Sequence, residues 1–152
     1  MATDLHIERV FDAPRELVWK AFTDPDQISQ WFGPVGYSVP RETVDMDVRV
    51  GGHERFTMVA DDPAYPPGGP VNATFEEVVE PELLVAVEHL EGEMREFFGS
   101  DSITMRLELH DEDGKTRLVL HQGPYKEEIS GDAREGWTSS FTKLDALLAS
   151  QR

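Results

Sequence analysis

Glu54 is the side chain in this sequence best placed to do chemistry. It precedes Phe56 and Met58 with single-residue gaps, so on a strand all three share one face. That face is apolar. A carboxylate turned into it without a partner is costly and holds its proton more tightly than in water. Such a group can orient the polar end of a bound molecule or serve as a general base. The plainer reading is a strand-end glutamate beside Gly52 that reaches water or pairs with an arginine. Glu54 is the only catalytic candidate.

The other chemistry-bearing residues form no array. His53-Glu54 opens like the zinc-protease motif HExxH, but Thr57 stands where the second histidine belongs. The segment also alternates as a strand, whereas that motif needs both histidines on one helical face. His6, His53, His89, His110 and His121 are expected on strands or at the surface, and no metal site is predicted. Asp111-Glu112-Asp113-Gly114 lacks the spacing and terminal glutamate of a calcium loop and reads as a hairpin turn. Asp45 and Asp47 share a strand face and read as solvated carboxylates. Asn72-Ala73-Thr74 matches a glycosylation sequon, which matters only in a secreted chain. GxSxG, Walker and GxGxxG patterns are missing, so serine-nucleophile, nucleotide and dinucleotide readings lose support. No cofactor is implied.

The elements that must position Glu54 follow from periodicity. Leu5, Ile7 and Phe11 suggest a first strand whose pattern breaks at Arg9. Pro14 sits in the first turn of a short helix with Leu17, Val18, Ala21 and Phe22 on its apolar face. Asp24-Pro25-Asp26-Gln27 starts a second short helix, with Asp24 as cap and Gln27 as capping-box partner. Ile28, Trp31 and Phe32 are its apolar residues, and Gly33-Pro34 stops it. From Arg41 the period changes to two. Val44, Met46 and Val48 alternate, Gly51-Gly52 turns, and the Glu54 strand follows. Val71 to Val79 and Leu83 to Leu90 pair about Glu80-Pro81-Glu82. Ile103, Met105, Leu107 and Leu109 share a strand face, Asp113-Gly114 makes a hairpin, and Leu118 and Leu120 continue the inward face. Asp61 to Pro70 and Glu91 to Asp101 read as loops, the second carrying Met94, Phe97 and Phe98 as a lid or a partner contact.

Trp137, Phe141, Leu144 and Leu148 then form one apolar stripe on a closing helix. That helix is expected to start at Asp132, boxed by Glu135, with Gly136 tolerated through close approach of helix to sheet. Strands followed by a terminal helix argue α+β with an antiparallel sheet. The expected architecture is a curved sheet of six to seven strands wrapped around a long C-terminal helix, with two short helices after strand one. The space between sheet and helix can hold a small apolar ligand.

Length and charge narrow the function classes. The 152 residues suit one domain, 1–152, with enough core to fold without staples. Zero cysteines exclude disulfides and thiolate chemistry. Met1 to Phe11 has no signal-peptide run and no stretch approaches a membrane span, so a cytoplasmic location is expected. Thirty acidic against 14 basic residues give a net charge of −16, which repels nucleic-acid phosphates and anionic lipid heads.

Several segments together resemble the SRPBCC superfamily, and within it the group related to the activator of the heat-shock protein 90 ATPase. They are Phe11-Asp12-Ala13-Pro14 with Val18-Trp19, Trp31-Phe32-Gly33-Pro34, and Asp47-Val48-Arg49-Val50-Gly51-Gly52. Phe75-Glu76-Glu77-Val78 leading to Pro81-Glu82-Leu83-Leu84, Thr116-Arg117-Leu118, and Gly136-Trp137 with Leu144 complete the set. The resemblance covers nearly the whole chain. It implies the START-like helix-grip fold and a pocket between long helix and concave sheet, where many relatives bind lipids, hormones or polyketides. Glu54 departs from the apolar or aromatic residue common there, and Ala73 from a glycine.

The expected function is binding of an apolar small molecule. The expected pocket residues are Trp31, Glu54, Phe56, Met58, Phe75, Met105, Trp137 and Phe141. The resemblance also suggests two rivals: a chaperone ATPase-activating interaction protein, and a cyclase- or hydrolase-like enzyme using the same pocket.

Overall fold

Alternation and stripe sort the chain into strands and helices much as the pattern requires. The computed structural model describes residues 2–65 and 68–151. Pro66 and Pro67 of the expected Asp61 to Pro70 loop lie outside the described residues. Strand β1 (Ala2–Phe11) precedes helices α1 (Arg15–Thr23) and α2 (Pro25–Trp31). Two-residue strands β2 (Tyr37–Ser38) and β3 (Asp45–Met46) flank a short 3-10 turn. Then come β4 (His53–Ala60), β5 (Gly69–Val79), β6 (Leu83–His89), helix α3 (Gly92–Phe98), β7 (Ser102–Glu112), β8 (Lys115–Lys126) and helix α4 (Glu127–Ser150).

The sheet is antiparallel throughout, in the order β1-β8-β7-β6-β5-β4-β2, with β3 also on β4. Six strands are long and two are two-residue additions, so the sheet has eight rather than six to seven. It curls around α4. Among the described residues, no helix is long and apolar enough to cross a membrane.

Several local expectations are corrected. The β1 pattern does not break at Arg9. The strand pairs through that position with Leu118, and its irregularity falls between Thr3 and Leu5. Arg9 keeps the inward parity of Ile7 and Phe11. Its guanidinium lies 4.8 Å from the Phe11 ring centre and pairs with Asp145 of α4, so a long cationic side chain fits an apolar face at its edge. Asp24 caps α2 by accepting from the Asp26 N–H at 2.9 Å, but Gln27 forms no box and instead accepts from Gln151 Nε2 at 3.1 Å. Val48 lies beyond β3 in the turn before β4, where Gly52 is so crowded that a Cβ would sit 2.0 Å from the Asp47 carbonyl oxygen.

The Glu91 to Asp101 stretch is not a plain loop, because α3 occupies its centre and ends on Gly99 at φ 75°. Helix α4 starts five residues before Asp132, directly off β8. Ile129 and Ala133 pack on the core and carry the apolar stripe back one more turn. That burial outweighs the interruption suggested by Ser130-Gly131.

The core is densest under the C-terminal half of α4. Trp31, Phe11, Phe141, Leu118 and Leu144 are each fully buried. Phe141 meets Phe11 edge-on at 5.2 Å and Trp31 face-on at 6.5 Å. The Trp31 indole N–H donates to the Ala21 carbonyl at 2.8 Å, and the buried Thr116 hydroxyl to the Ala13 carbonyl at 2.7 Å. Both donors are thereby satisfied, as burial requires, while at the margin of this region Arg9 Nη1 is buried without a hydrogen-bond partner and lies over the Phe11 and Phe141 rings.

Candidate functional site

Two carboxylates meet on the concave face of the sheet. β4 places Glu54 opposite Ala73 of β5, and β5 places Ala73 opposite Glu88 of β6. Partner strands lie about 4.8 Å apart, so the two glutamate backbones stand roughly 10 Å apart. The small Ala73 between them, itself buried, leaves room for both side chains to lean over it. Glu88 shares the parity of Leu84 and Ala86, both buried on the inner face. Among the described residues, neither carboxylate has a hydrogen-bond or ion-pair partner.

Both groups are closely surrounded by protein, yet each keeps part of its surface accessible. That combination belongs to side chains lining a recess rather than filling a core. Burial, reinforced by the Glu88 charge, pushes the Glu54 carboxyl up from 4.5 to about 8. Burial pushes Glu88 up to about 7.

The recess continues toward β8. Met105 of β7 pairs with Gln122 of β8, and Gln122 Oε1 accepts from both the Trp137 indole N–H at 2.7 Å and the Tyr125 hydroxyl. Burial, and secondarily Glu88, keeps the Tyr125 phenol protonated well above its ordinary range. Tyr125 also walls an outer cleft of about 390 Å³ between α3 and the start of α4, with Phe98, Pro124, Lys126 and Glu128. That volume lies in the range of small-molecule sites. A larger depression beside α3, lined by Arg95, Glu96 and Asp101, is polar, open and outside the sheet–helix gap.

Helix α4 lies on the inner side of the sheet, where Trp137 donates to Gln122 of β8. Its close backbone neighbours are β1, β8, α1 and α2, and it stands further from β4 to β7. The expected close approach at Gly136 is absent: a Cβ there would meet no atom within 4 Å. Gly136 borders open space rather than a tight crossing.

The eight expected pocket residues therefore divide. Trp31, Phe56, Phe75 and Phe141 are fully buried in the core. Glu54, Met105 and Trp137 are partly accessible. Met58 is partly accessible on the same strand and touches the turn at Gly33, where a Cβ would meet its Sδ at 3.0 Å. Glu88, Gln122 and Tyr125 complete the site and were not anticipated. For Glu88 and Gln122 the signal was parity alone, Leu84, Ala86, Glu88 on β6 and Leu118, Leu120, Gln122 on β8, and Tyr125, out of step with that series, had none.

The histidines lie elsewhere. His53 Nε2 is 3.0 Å from Asp45 Oδ1, the His110 ring meets Glu108 at 3.0 Å, and the His6 and His121 rings pair at 4.4 Å. Among the described residues, no three His, Asp or Glu side chains gather as a metal would need.

A curled antiparallel sheet gripping a long terminal helix defines a helix-grip protein. The family model described as "Activator of Hsp90 ATPase homolog 1-like protein" matches residues 12–149, and the chain belongs to that family. The fold is close to that of the AHSA1 protein from Silicibacter pomeroyi, with 26% identity, TM-score 0.79, and 99% of this chain and 100% of that one covered. A protein from Chromobacterium violaceum is similar at 24% identity and TM-score 0.80, over 96% of this chain and 97% of its own. CalU16 from Micromonospora echinospora is similar at 22% identity and TM-score 0.68, over 97% of this chain and 76% of its own. Comparison with curated proteins gives no match.

Proposed function

We propose that this protein is a binding module for a small molecule with an apolar body and a polar end. The molecule occupies the recess beneath the N-terminal half of α4. Its body lies against Trp137 and Met105, and its polar end meets Glu54, Glu88 and Gln122. The observation that carries this reading is the pair of inward carboxylates without partners, beside an amide that already satisfies one aromatic donor from the helix and one from the sheet. Polar groups aimed into an enclosed space are expensive unless something meets them. Burying apolar ligand surface contributes about 25 cal/mol per Å² before the costs of association.

A thermal-shift and calorimetry screen of amphiphilic compounds tests the reading. Saturable binding that weakens in Trp137→Ala is expected. A screen without any saturable binder contradicts it.

The family description supports a second reading, activation of a chaperone ATPase. Direct association with such a chaperone and stimulation of its ATP turnover would favour it, and both failing would count against it. A catalytic role for the same recess would rest on Glu54 and Glu88 exchanging a proton with a bound substrate. Loss of an identified activity in Glu54→Gln at unchanged ligand affinity is its signature.

A further inference from the structure

The geometry points to a cationic ligand: the recess is built to take an ammonium group between Glu54 and Glu88, with an apolar body under Trp137. This rests on the pocket reading above and names its ligand class.

Register supplies the first argument. Glu54, Ala73 and Glu88 stand in one row across three strands. Two acidic side chains thus converge over one methyl group. A purely apolar ligand leaves that row unmet and an anionic one can meet it only while the acids keep their protons, whereas a cation placed over Ala73 reaches both in their charged form.

The surroundings supply the second. From β8, Tyr125 faces the pair and keeps its proton. From β5 and β7, Ala73, Ile103 and Met105 bring no charge, and from α4 Trp137 brings none. Among the described residues no arginine, lysine or histidine neutralises either carboxylate. Cations on the neighbouring elements have partners of their own: Arg55 lies beside Asp45 and Asn72, Lys126 donates to the Glu96 carbonyl, Lys143 to the Pro34 and Tyr37 carbonyls, and Arg9 pairs with Asp145. A protein that folds around two unpaired acids leaves the counter-charge to the ligand.

Aromatic faces supply the third. Trp137 and Phe32, both only partly buried, meet with ring centres 5.6 Å apart, and the buried Phe56 backs Phe32 at 4.9 Å. Such faces attract ammonium as well as apolar carbon.

Binding moves protons. Near neutral pH the pair holds protons that a cation displaces to solvent. Where one proton is released per ligand, affinity rises about tenfold per pH unit.

The test is calorimetry with octylamine, 1-octanol and octanoate against the whole protein and the double variant E54Q/E88Q, at several pH values from 5 to 8. Gln keeps size and shape and removes only the ionisable proton, and circular dichroism confirms the fold. Octylamine is expected to bind at least about tenfold tighter than 1-octanol at pH 8, with octanoate weakest. Its affinity is expected to rise with pH, and its advantage to vanish in the double variant while 1-octanol binding persists. Equal affinity for amine and alcohol, or an amine preference that survives in the double variant, overturns the inference and leaves the pocket reading standing. Absence of binding by all three probes overturns the pocket reading itself, and this inference with it.

Discussion

The two halves of α4 face different interiors. Beneath its C-terminal half, Phe141, Leu144 and Leu148 meet Phe11, Trp31 and Leu118, and every one is buried. Beneath its N-terminal half, Ile129, Ala133 and Trp137 are only partly covered, and the sheet offers two glutamates and a glutamine. One half holds the fold together and the other leaves a polar recess open. If the recess binds a ligand as proposed, stability and binding are separated along a single helix. The recess can carry unpaired acids because the dry half supplies the burial that folding needs.

Truncation sharpens this contrast most. Phe141→Ala empties the dry half and is expected to cost about 3–5 kcal/mol in denaturant unfolding. Met105→Ala, at the partly accessible recess, should cost less than half as much, since water can enter the space left behind. Equal losses would mean that the two halves are packed alike.

pH offers the next contrast. The Glu54 carboxyl is raised from 4.5 to about 8. Between those values the unfolded chain releases a proton that the folded chain keeps, so this group lowers stability as pH rises. Asp45, held low by its hydrogen bond to His53, and Glu108, held low by Arg106, act in the opposite sense at acid pH. Glu54→Gln removes only the first contribution. It is expected to be nearly neutral at pH 4.5 and to stabilise on the order of 2–3 kcal/mol at pH 8.5, discounting the full shift for water entry. A variant no more stable than the parent at pH 8.5 would place Glu54 in solvent.

Gly136 gives the smallest effect. Because an added Cβ meets open space, Gly136→Ala should stabilise by about 0.5–1 kcal/mol through helix propensity alone. Destabilisation in thermal melts would restore the tight helix–sheet crossing that the sequence suggested.

Legibility followed the same division. The order β, α, α, strands, α was readable because each element kept one clean period, as in Trp137, Phe141, Leu144 and Leu148. Glu54 was readable because polar residues separate it from Phe56 and Met58. Glu88 was not, since Leu83 to Val87 is a continuous apolar run that conceals which residues face inward. The first turn of α4 was hidden by Ser130-Gly131, whose low propensity is overridden by burial of Ile129 and Ala133. Helix α3 was hidden by its shortness and by glycines at either end. The filling of the gap by Phe56 and Phe75 depends on how far the sheet curls, and no local pattern records that.

On the proposed reading Glu54 and Glu88 share a partly open recess without a counter-charge. Carbon-detected NMR titration of the two side-chain carboxyls tests it most directly. Midpoints of about 8 for Glu54 and about 7 for Glu88 are expected. Two independent titrations near the ordinary 4.5 would contradict it.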